Sequence, residues 1–222
     1  MKAISEQVVP GSRLREWIKS QLPAPPARVL EVGCGNGRLA RALVRAGYDV
    51  VAVDPRAPTG RIFRRSRIED LEEEGRFDAA VASIALHHVE SLSVVLEKMS
   101  GLLRPRGRII VNEFAWDQFN RKTAVWLWSR RSVLSPRMRR RFGGRSPAAC
   151  LDKWRRTFRD LHTYRRMRRA LDRRFTPQFF AWVPYLYGYL GEVTTEPKER
   201  RLIEAGKIRP LGFRYVGQRR AG

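Results

Sequence analysis

The sequence is poor in cysteine and has no long apolar run. Its two cysteines, Cys34 and Cys150, lie far apart, which argues against a disulfide framework and against the closely spaced thiols of a zinc site. No run of about eighteen apolar residues occurs, so the sequence predicts no membrane-spanning helix. Residues 1–7 include a glutamate and no apolar segment, and we therefore expect no signal peptide. Together these absences predict a reducing, cytoplasmic environment.

Acidic residues are also scarce. The chain has 45 Lys or Arg against 22 Asp or Glu, a formal net charge of +23, and arginine outnumbers lysine by 38 to 7. Such an excess suits the phosphate groups of nucleic acids or of anionic membranes. It also arises when a GC-rich coding sequence favours arginine codons, and we give this second interpretation somewhat more weight. Charge alone therefore does not establish a partner.

Short apolar strands alternate with helices along the first half of the chain. The 222 residues are enough for one α/β domain with an insertion. Near-continuous apolar strands separated by helices predict a parallel sheet covered on both faces, with ligands at the carboxyl ends of the strands. The predicted strands are 29–32, 49–53, 61–65, 77–83, 108–113 and 211–217, and the predicted helices are 11–22, 38–46, 91–103, 118–131, 151–172 and 196–205.

Composition divides the chain into four segments. Residues 1–26 form a predicted N-terminal helix and linker, residues 27–114 the α/β core, and residues 196–222 a last helix and strand that return to the core. Residues 115–195 carry nineteen Lys or Arg, five Asp or Glu and fifteen aromatic residues. We interpret this segment as a mostly helical inserted lid that closes an apolar, aromatic-lined pocket. Most of its aromatic residues would form the core of the lid itself.

A glycine-rich turn follows the first core strand. Gly33, Gly35 and Gly37 stand between a strand and a helix, where side chains would block a ligand lying against the backbone. A dinucleotide-binding turn needs a glycine or alanine three positions after its second glycine, and here that position is Arg38. Glu31 would repel a pyrophosphate and attract a ligand with an ammonium and a sulfonium group. The turn therefore favours a sulfonium nucleoside over NAD.

An aspartate ends the second strand. Asp54 lies seventeen residues after Gly37, where a carboxylate can accept both hydroxyl groups of a ribose. An aspartate before a proline, here Pro55, is also a common turn pair. Because Asp54 follows the glycine turn at this distance, we favour the ribose role.

Five motifs in order resemble those of the class I S-adenosylmethionine-dependent methyltransferases, and within them the broad type 11 domain group. They are VLEVGCGNG from Val29, VVAVD from Val50, RIEDL from Arg67, FDAAVASIALHHV from Phe77 and LLRPRGRIIV from Leu102. The resemblance implies a doubly wound, Rossmann-like, mostly parallel seven-stranded sheet, with S-adenosyl-L-methionine as cofactor and no bound metal. One departure is Arg106, where the family usually has glycine.

The same resemblance implies eight cofactor-binding residues. Gly33, Gly35 and Asn36 would line the methionine and sulfonium end, Glu31 would orient the amino group, Asp54 would take the ribose, Ile68 and Glu69 would flank the adenine, and Ser83 would lie under the cofactor.

The sequence says less about the molecule that accepts the methyl group. His87 and His88 follow the fourth strand, so one of them could be the general base that a phenol or alcohol needs. The resemblance extends to relatives with many substrates, which favours a packing role for the pair, and we assign no catalytic residue. Residues 83–86 lack the Asp or Asn, prolines and aromatic residue of base amino-group methyltransferases, and the cysteine pair of RNA cytosine-C5 enzymes is also missing.

These observations leave three hypotheses for function. The leading one is methyl transfer to an O, N or C centre of a small, apolar or aromatic metabolite. An RNA- or ribosome-associated methyltransferase that uses the arginine-rich lid is the less favoured alternative. A non-catalytic module that keeps the cofactor site is the second alternative. The oligomeric state is not predicted.

Overall fold

The computed structural model of the chain describes residues 7–8, 14–73, 76–191 and 193–220. Its strands form one sheet in the order β1-β7-β8-β6-β5-β2-β3-β4. They are β1 (Gln7–Val8), β2 (Arg28–Val32), β3 (Asp49–Val53), β4 (Phe63–Arg64), β5 (Phe77–Ser83), β6 (Leu103–Phe114), β7 (Phe175–Val183) and β8 (Gly212–Arg219). Strand β8 runs antiparallel to its neighbours β6 and β7, and the other pairs are parallel. The mostly parallel, Rossmann-like sheet is confirmed, with the edge strand β1 beyond the seven that were expected.

Helices cover both faces of the sheet. They are α1 (Leu14–Gln21), α2 (Arg38–Arg45), α3 (Leu92–Leu102), α4 (Arg121–Ser129), α5 (Pro136–Phe142), α6 (Pro147–Phe158), α7 (Tyr164–Arg174) and α8 (Glu196–Glu204). On one face, α1 and α2 bury Trp17, Ile18 and Leu43, and on the other, α3 and α7 bury Leu96 and Met167. The apolar runs of β2, β3 and β5 are buried because both faces are covered. No helix in the described part of the chain has the length and apolarity to cross a membrane.

The structure corrects the extent of the expected lid. Residues Phe175–Val183, which we assigned to the lid, form β7 and pair with β8 along the whole strand. Phe175 and Phe180 belong to the hydrophobic cluster that α3 and α7 form on one face of the sheet. The register shifts between Pro177 and Phe179, which lets a proline remain in the strand. The assignment of 115–195 to a lid is therefore wrong for residues 164–183, because α7 and β7 are layers of the core.

Smaller differences concern helix and turn boundaries. The helix expected at 151–172 is two helices, α6 and α7, and the hydroxyl of Thr163 begins the second by accepting the N–H of Arg166 at 3.3 Å. Arg106, where the family usually has glycine, lies within β6 and has a φ of 62°. That left-handed conformation explains why a glycine is usual at this position. The first three residues of the helix expected at 11–22 lie outside the described residues.

A third hydrophobic cluster begins at Phe114, the last residue of β6. Two segments build it: residues 116–163, between β6 and α7, and the described residues of 184–211, between β7 and β8. We call these two segments the cap. Helix α8 packs in this cluster through Leu202 and Ile203. We expected the segment 196–222 to return to the core. Strand β8 does so, but α8 belongs to the cap.

The cap core predicts a local stability effect. Trp154 is 1% exposed, its ring stacks on Phe119 with centroids 4.2 Å apart, and its Nε1 donates to the Trp116 carbonyl at 2.9 Å. We expect Trp154→Ala to lower the free energy of unfolding by about 3–5 kcal/mol. Because the sheet has its own clusters, hydrogen exchange should accelerate in α4 to α6 and stay slow in β2 to β5. Exchange that accelerates equally in the sheet would contradict a separately packed cap, and Val94→Ala, on the exposed side of α3, is the control.

Candidate functional site

A cavity of about 450 Å³ opens where β2, β3 and β5 end. These strands are parallel, so their carboxyl ends lie at the same edge of the sheet, which is where α/β folds bind ligands. Four of the eight predicted cofactor residues line this cavity: Gly33, Asp54, Ile68 and Glu69. Half of the cofactor residues predicted from the motifs therefore line one cavity.

The glycine turn has to be free of side chains. Gly33, Gly35 and Gly37 have φ values of 76°, 51° and 72°, a region that suits glycine. A Cβ on Gly33 would lie 2.4 Å from the Cβ of Ala85, which follows β5. A Cβ on Gly37 would lie 2.5 Å from the ring of Phe63. Glycine at these places thus allows the turn to close against two neighbouring segments and to line the cavity with backbone.

Asp54 makes the turn contact that the sequence left open, and its ribose role stays a prediction. Its Oδ1 accepts the N–H of Arg56 at 2.7 Å, which is the local turn bond expected of an aspartate before Pro55. Its Oδ2 accepts the N–H of Gly35 at 3.0 Å, and the residue lines the cavity. A carboxylate has about four acceptor positions, so these two bonds leave capacity for ligand hydroxyl groups.

Glu31 lies behind the glycine turn, buried among Asp54, Cys34 and the start of α2. Its pKa is raised to about 8, mainly by burial and also by the carboxylate of Asp54, while the backbone hydrogen bond at Ala40 acts in the opposite direction. Within the described residues, its Oε2 has no hydrogen-bond partner. Such a buried carboxylate suits a nearby cation or donor supplied by a ligand.

Two other predicted residues lie away from the cavity lining. Asn36 is exposed, and its Oδ1 accepts the N–H of Arg38 at 3.3 Å, so it shapes the start of α2. Ser83 lies in β5 beside Asn112 of β6, whose Nδ2 donates to the Ser83 Oγ at 3.4 Å. The cofactor roles of Asn36 and Ser83 stay predictions, as does that of Gly35, which contacts Asp54.

Sequence reasoning missed Glu113, which is fully buried at the end of β6. Its Oε1 accepts the N–H groups of Ala85 and Leu86 at 2.7 and 2.6 Å. Its Oε2 accepts the N–H of Phe114 at 2.8 Å and lies 2.6 Å from Nδ1 of His87. One carboxylate thus holds the loop after β5. The signal was an acid near the end of a mostly apolar strand, IIVNEF, which does not reveal its partners.

A second cavity of about 300 Å³ lies beside the first. Its walls include Tyr185, Tyr187 and Tyr189 of the cap, together with Asn112 of β6 and Arg214 of β8. Asn112 and Arg214 are register partners in the antiparallel β6–β8 pair. The guanidinium carbon of Arg214 lies 4.7 Å from the ring centroid of Trp17, and burial lowers the pKa of Arg214. This cavity therefore has an aromatic wall and a polar one, which includes Glu196 as well as Arg214.

The two cavities share one residue, Ile84. It follows β5 and has a φ of 56°, which is a strained conformation for a β-branched side chain. Its N–H donates to the Asn112 carbonyl at 2.8 Å, and the next two N–H groups bind Glu113. The surrounding bonds therefore impose the strain, and they place Ile84 at the junction of the two cavities.

His87 and His88 lie in different environments. His87 is buried against Phe114 and Glu113, so it packs and positions, as the favoured interpretation expected. His88 lines the first cavity, and burial lowers its pKa. Neither residue lines the second cavity. Among the described residues, no three His, Cys, Asp or Glu side chains cluster in a way that could hold a metal ion.

Comparison with known proteins identifies the family of this chain. A family model described as a methyltransferase domain matches residues 9–176. The ubiquinone biosynthesis O-methyltransferase of Xylella fastidiosa is 33% identical over 112 residues, covering 44% of this chain and 46% of that protein. Its counterpart in Xanthomonas axonopodis pv. citri is 30% identical, covering 44% and 47%. The chain thus spans just under half the length of these relatives.

Solved structures share the fold across nearly the whole chain. The geranyl diphosphate C-methyltransferase of Streptomyces coelicolor A3(2), in complex with Mg²⁺, geranyl diphosphate and S-adenosyl-L-homocysteine, has a TM-score of 0.58 at 16% identity, over 93% of this chain and 78% of that one. An S-adenosylmethionine-dependent methyltransferase from Mesorhizobium loti has a TM-score of 0.58 at 18% identity, over 92% and 98%. The predicted resemblance is confirmed: the sheet has the class I methyltransferase arrangement, and the chain belongs to the methyltransferase domain family.

Proposed function

We propose that this chain transfers a methyl group from S-adenosyl-L-methionine to a small acceptor. The observation that carries the proposal is the meeting of two cavities at Ile84, one beside the glycine turn and Asp54, the other walled by tyrosines. The cofactor supplies a methyl group already activated on a sulfonium. The chain itself has to align the two ligands and keep water out.

The residues of the first cavity fit this cofactor. Gly33 leaves room for a ligand against the backbone, and Glu31 brings a buried carboxylate oxygen that lacks a partner within the described residues. In this proposal Asp54 accepts the ribose hydroxyls, while Ile68 and Glu69 flank the adenine. Glu31 attracts the ammonium and sulfonium groups. Gly35, Asn36 and Ser83 complete the methionine end from behind the lining.

The second cavity suits a small acceptor better than a nucleic acid. A volume of about 300 Å³ is at the lower end of small-molecule sites, and its tyrosines favour an apolar or aromatic compound. Its O, N or C centre would be presented beside Ile84. No observation at the site favours the RNA- or ribosome-associated alternative. We also propose a cytoplasmic location, because both free cysteines are buried and unpaired with each other, which suits a reducing compartment.

The first test removes the Asp54 carboxylate. Asp54→Ala deletes the acceptor of the ribose hydroxyls, and the loss of charged hydrogen bonds worth about 1.5–3 kcal/mol should weaken S-adenosylmethionine binding roughly 10- to 150-fold. Titration calorimetry measures this affinity. Labelled cofactor incubated with small-molecule extract should give a methylated product with the wild type and far less with the variant. Asp49→Asn, at the other end of β3, is the matched control. Unchanged affinity in Asp54→Ala would contradict the proposed site.

The second test uses the raised pKa of Glu31. The protonated form predominates below pH 8 without ligand, and a cationic ligand favours the ionised form. S-adenosylmethionine affinity should therefore rise as the pH rises from about 6 to 8, with proton uptake by the buffer detectable in calorimetry. Because the folded state holds this proton more tightly than the unfolded state, the stability of the free protein should fall as the pH rises from 4.5 to about 8. In Glu31→Gln, both the affinity and the stability should depend less on pH. If either pH dependence persists in this variant, another titrating group causes it.

The third test concerns the loop that Glu113 holds. Glu113→Gln keeps the side-chain shape but replaces one acceptor oxygen by a donor, which leaves buried N–H groups of the loop poorly paired. We expect an unfolding free energy lower by about 1–3 kcal/mol and a kcat reduced more than the KM for the cofactor. Glu97→Gln, on the exposed side of α3, is the control for a simple charge change. A reduced stability with unchanged kcat would show a purely structural role.

A further inference from the structure

The outer side of the cap is positively charged over a long stretch. Residues 118–151 contain nine Lys or Arg and no Asp or Glu, so all 22 acids of the chain lie elsewhere. The nine are all exposed: Arg121, Lys122, Arg130, Arg131, Arg137, Arg139, Arg140, Arg141 and Arg145. Codon bias would enrich arginine throughout the chain, but it would not remove the acids from one segment.

These cations are not neutralised by acids from other segments. Within the described residues, the ion pairs lie at other positions, and none includes a residue of this stretch. Helix α4 buries Thr123 and Leu127 and helix α5 buries Phe142 in the cap cluster. The charged residues of these helices are exposed to solvent, and Arg141 also lies with its guanidinium carbon 5.3 and 5.8 Å from the ring centroids of Phe142 and Phe158 in that cluster. Among the described residues, no ion pair offsets the positive electrostatic potential of this stretch.

Apolar side chains are exposed within the same stretch. Val125 is 46% and Val133 is 55% exposed, and among the described residues Val94, at 50%, is the only other large apolar residue that is at least 46% exposed. A single exposed valine is ordinary. Val125 and Trp126 also border an open groove, between Arg121 and Lys122 of α4 and Lys207 after α8. Here the surface combines cations with apolar groups and an indole, which suits the boundary between lipid headgroups and acyl chains.

We propose that this surface, the cap basic face, docks onto a membrane that contains anionic lipid. We define it by the nine cations of residues 118–151 together with Val125 and Val133. Phosphate headgroups match the cations, and the valines enter the interface below them. RNA would match the cations as well, but it gains little from exposed valines. A base-stacking surface would also need several open rings, whereas this stretch has Trp126 at the groove and Arg131 covers Trp128 with its guanidinium carbon 3.8 Å from the ring centroid.

The cap basic face adjoins the second cavity through α8. The end of α8 borders the groove at Leu202, and Glu199 of the same helix accepts the N–H groups of the tyrosine loop at 2.8 to 3.0 Å. Docking would thus place the mouth of that cavity beside a reservoir of apolar compounds. This consequence rests on the proposed function, whereas the docking itself does not.

Vesicle co-sedimentation of the full chain tests the docking. We expect binding to vesicles of phosphatidylcholine with about 30% phosphatidylglycerol, at least roughly tenfold weaker binding to phosphatidylcholine alone, and loss of binding in about 0.5 M NaCl. The triple variant Arg137→Gln, Arg140→Gln, Arg141→Gln should bind anionic vesicles at least roughly tenfold more weakly. The matched triple Arg165→Gln, Arg166→Gln, Arg169→Gln removes the same charge from exposed positions of α7 and should bind nearly as the wild type does.

The valines separate lipid from other anions. Val133→Ser should weaken vesicle binding, whereas Val94→Ser, at a position 50% exposed on α3, should not. If the two triple arginine variants weaken vesicle binding equally, binding depends on net charge alone and the proposal is overturned. Binding to a single-stranded RNA oligonucleotide without binding to anionic vesicles would assign the face to nucleic acid instead. Unchanged thermal unfolding and cofactor binding in each variant ensure that a loss of vesicle binding is not a loss of fold.

Discussion

The carboxylate of Glu113 holds the segment on which the rest of the site depends. It is fully buried, and the backbone N–H groups of Ala85, Leu86 and Phe114 and the imidazole of His87 satisfy its oxygens. A buried carboxylate without these donors would cost several kcal/mol, so the loop after β5 is confined to the conformation that supplies them. This confinement explains how Ile84 keeps a positive φ between the two cavities.

A second buried carboxylate repeats this arrangement on the opposite wall. Glu199 of α8 accepts the N–H groups of Tyr185, Leu186 and Tyr187, and burial raises its pKa. The second cavity thus lies between two loops: Glu113 holds one through two backbone N–H groups and the His87 side chain, and Glu199 holds the other through three backbone N–H groups. Because a hydrogen-bonded backbone loses little entropy when a ligand enters, both walls are preorganised for binding.

The sequence predicted those parts of the fold that depend on local pattern. Strand β5 has its expected bounds, and β2 and β3 agree within one residue, because buried parallel strands read as continuous apolar runs. Strand β7 was missed because Pro177 and its many aromatic residues resemble an irregular lid, and its pairing with β8 is a tertiary property. Gly33 and Asp54 lie in local motifs, so the sequence predicted them. Arg214 was not predicted, because it reaches the site only through the pairing of β8 with β6, where it lies opposite Asn112.

Several polar groups in or around the second cavity already have structural roles. Burial raises the pKa of Tyr185, Glu196 pairs with Arg200 at 3.0 Å, and the N–H of His162 in the cap donates to the carbonyl of His87. A general base needs an oxygen or nitrogen that can take a proton at the acceptor, and these groups instead fix backbone segments or favour their neutral forms. In the proposed reaction, methyl transfer would therefore draw its rate from alignment at Ile84 and from exclusion of water, because the sulfonium already provides the leaving group.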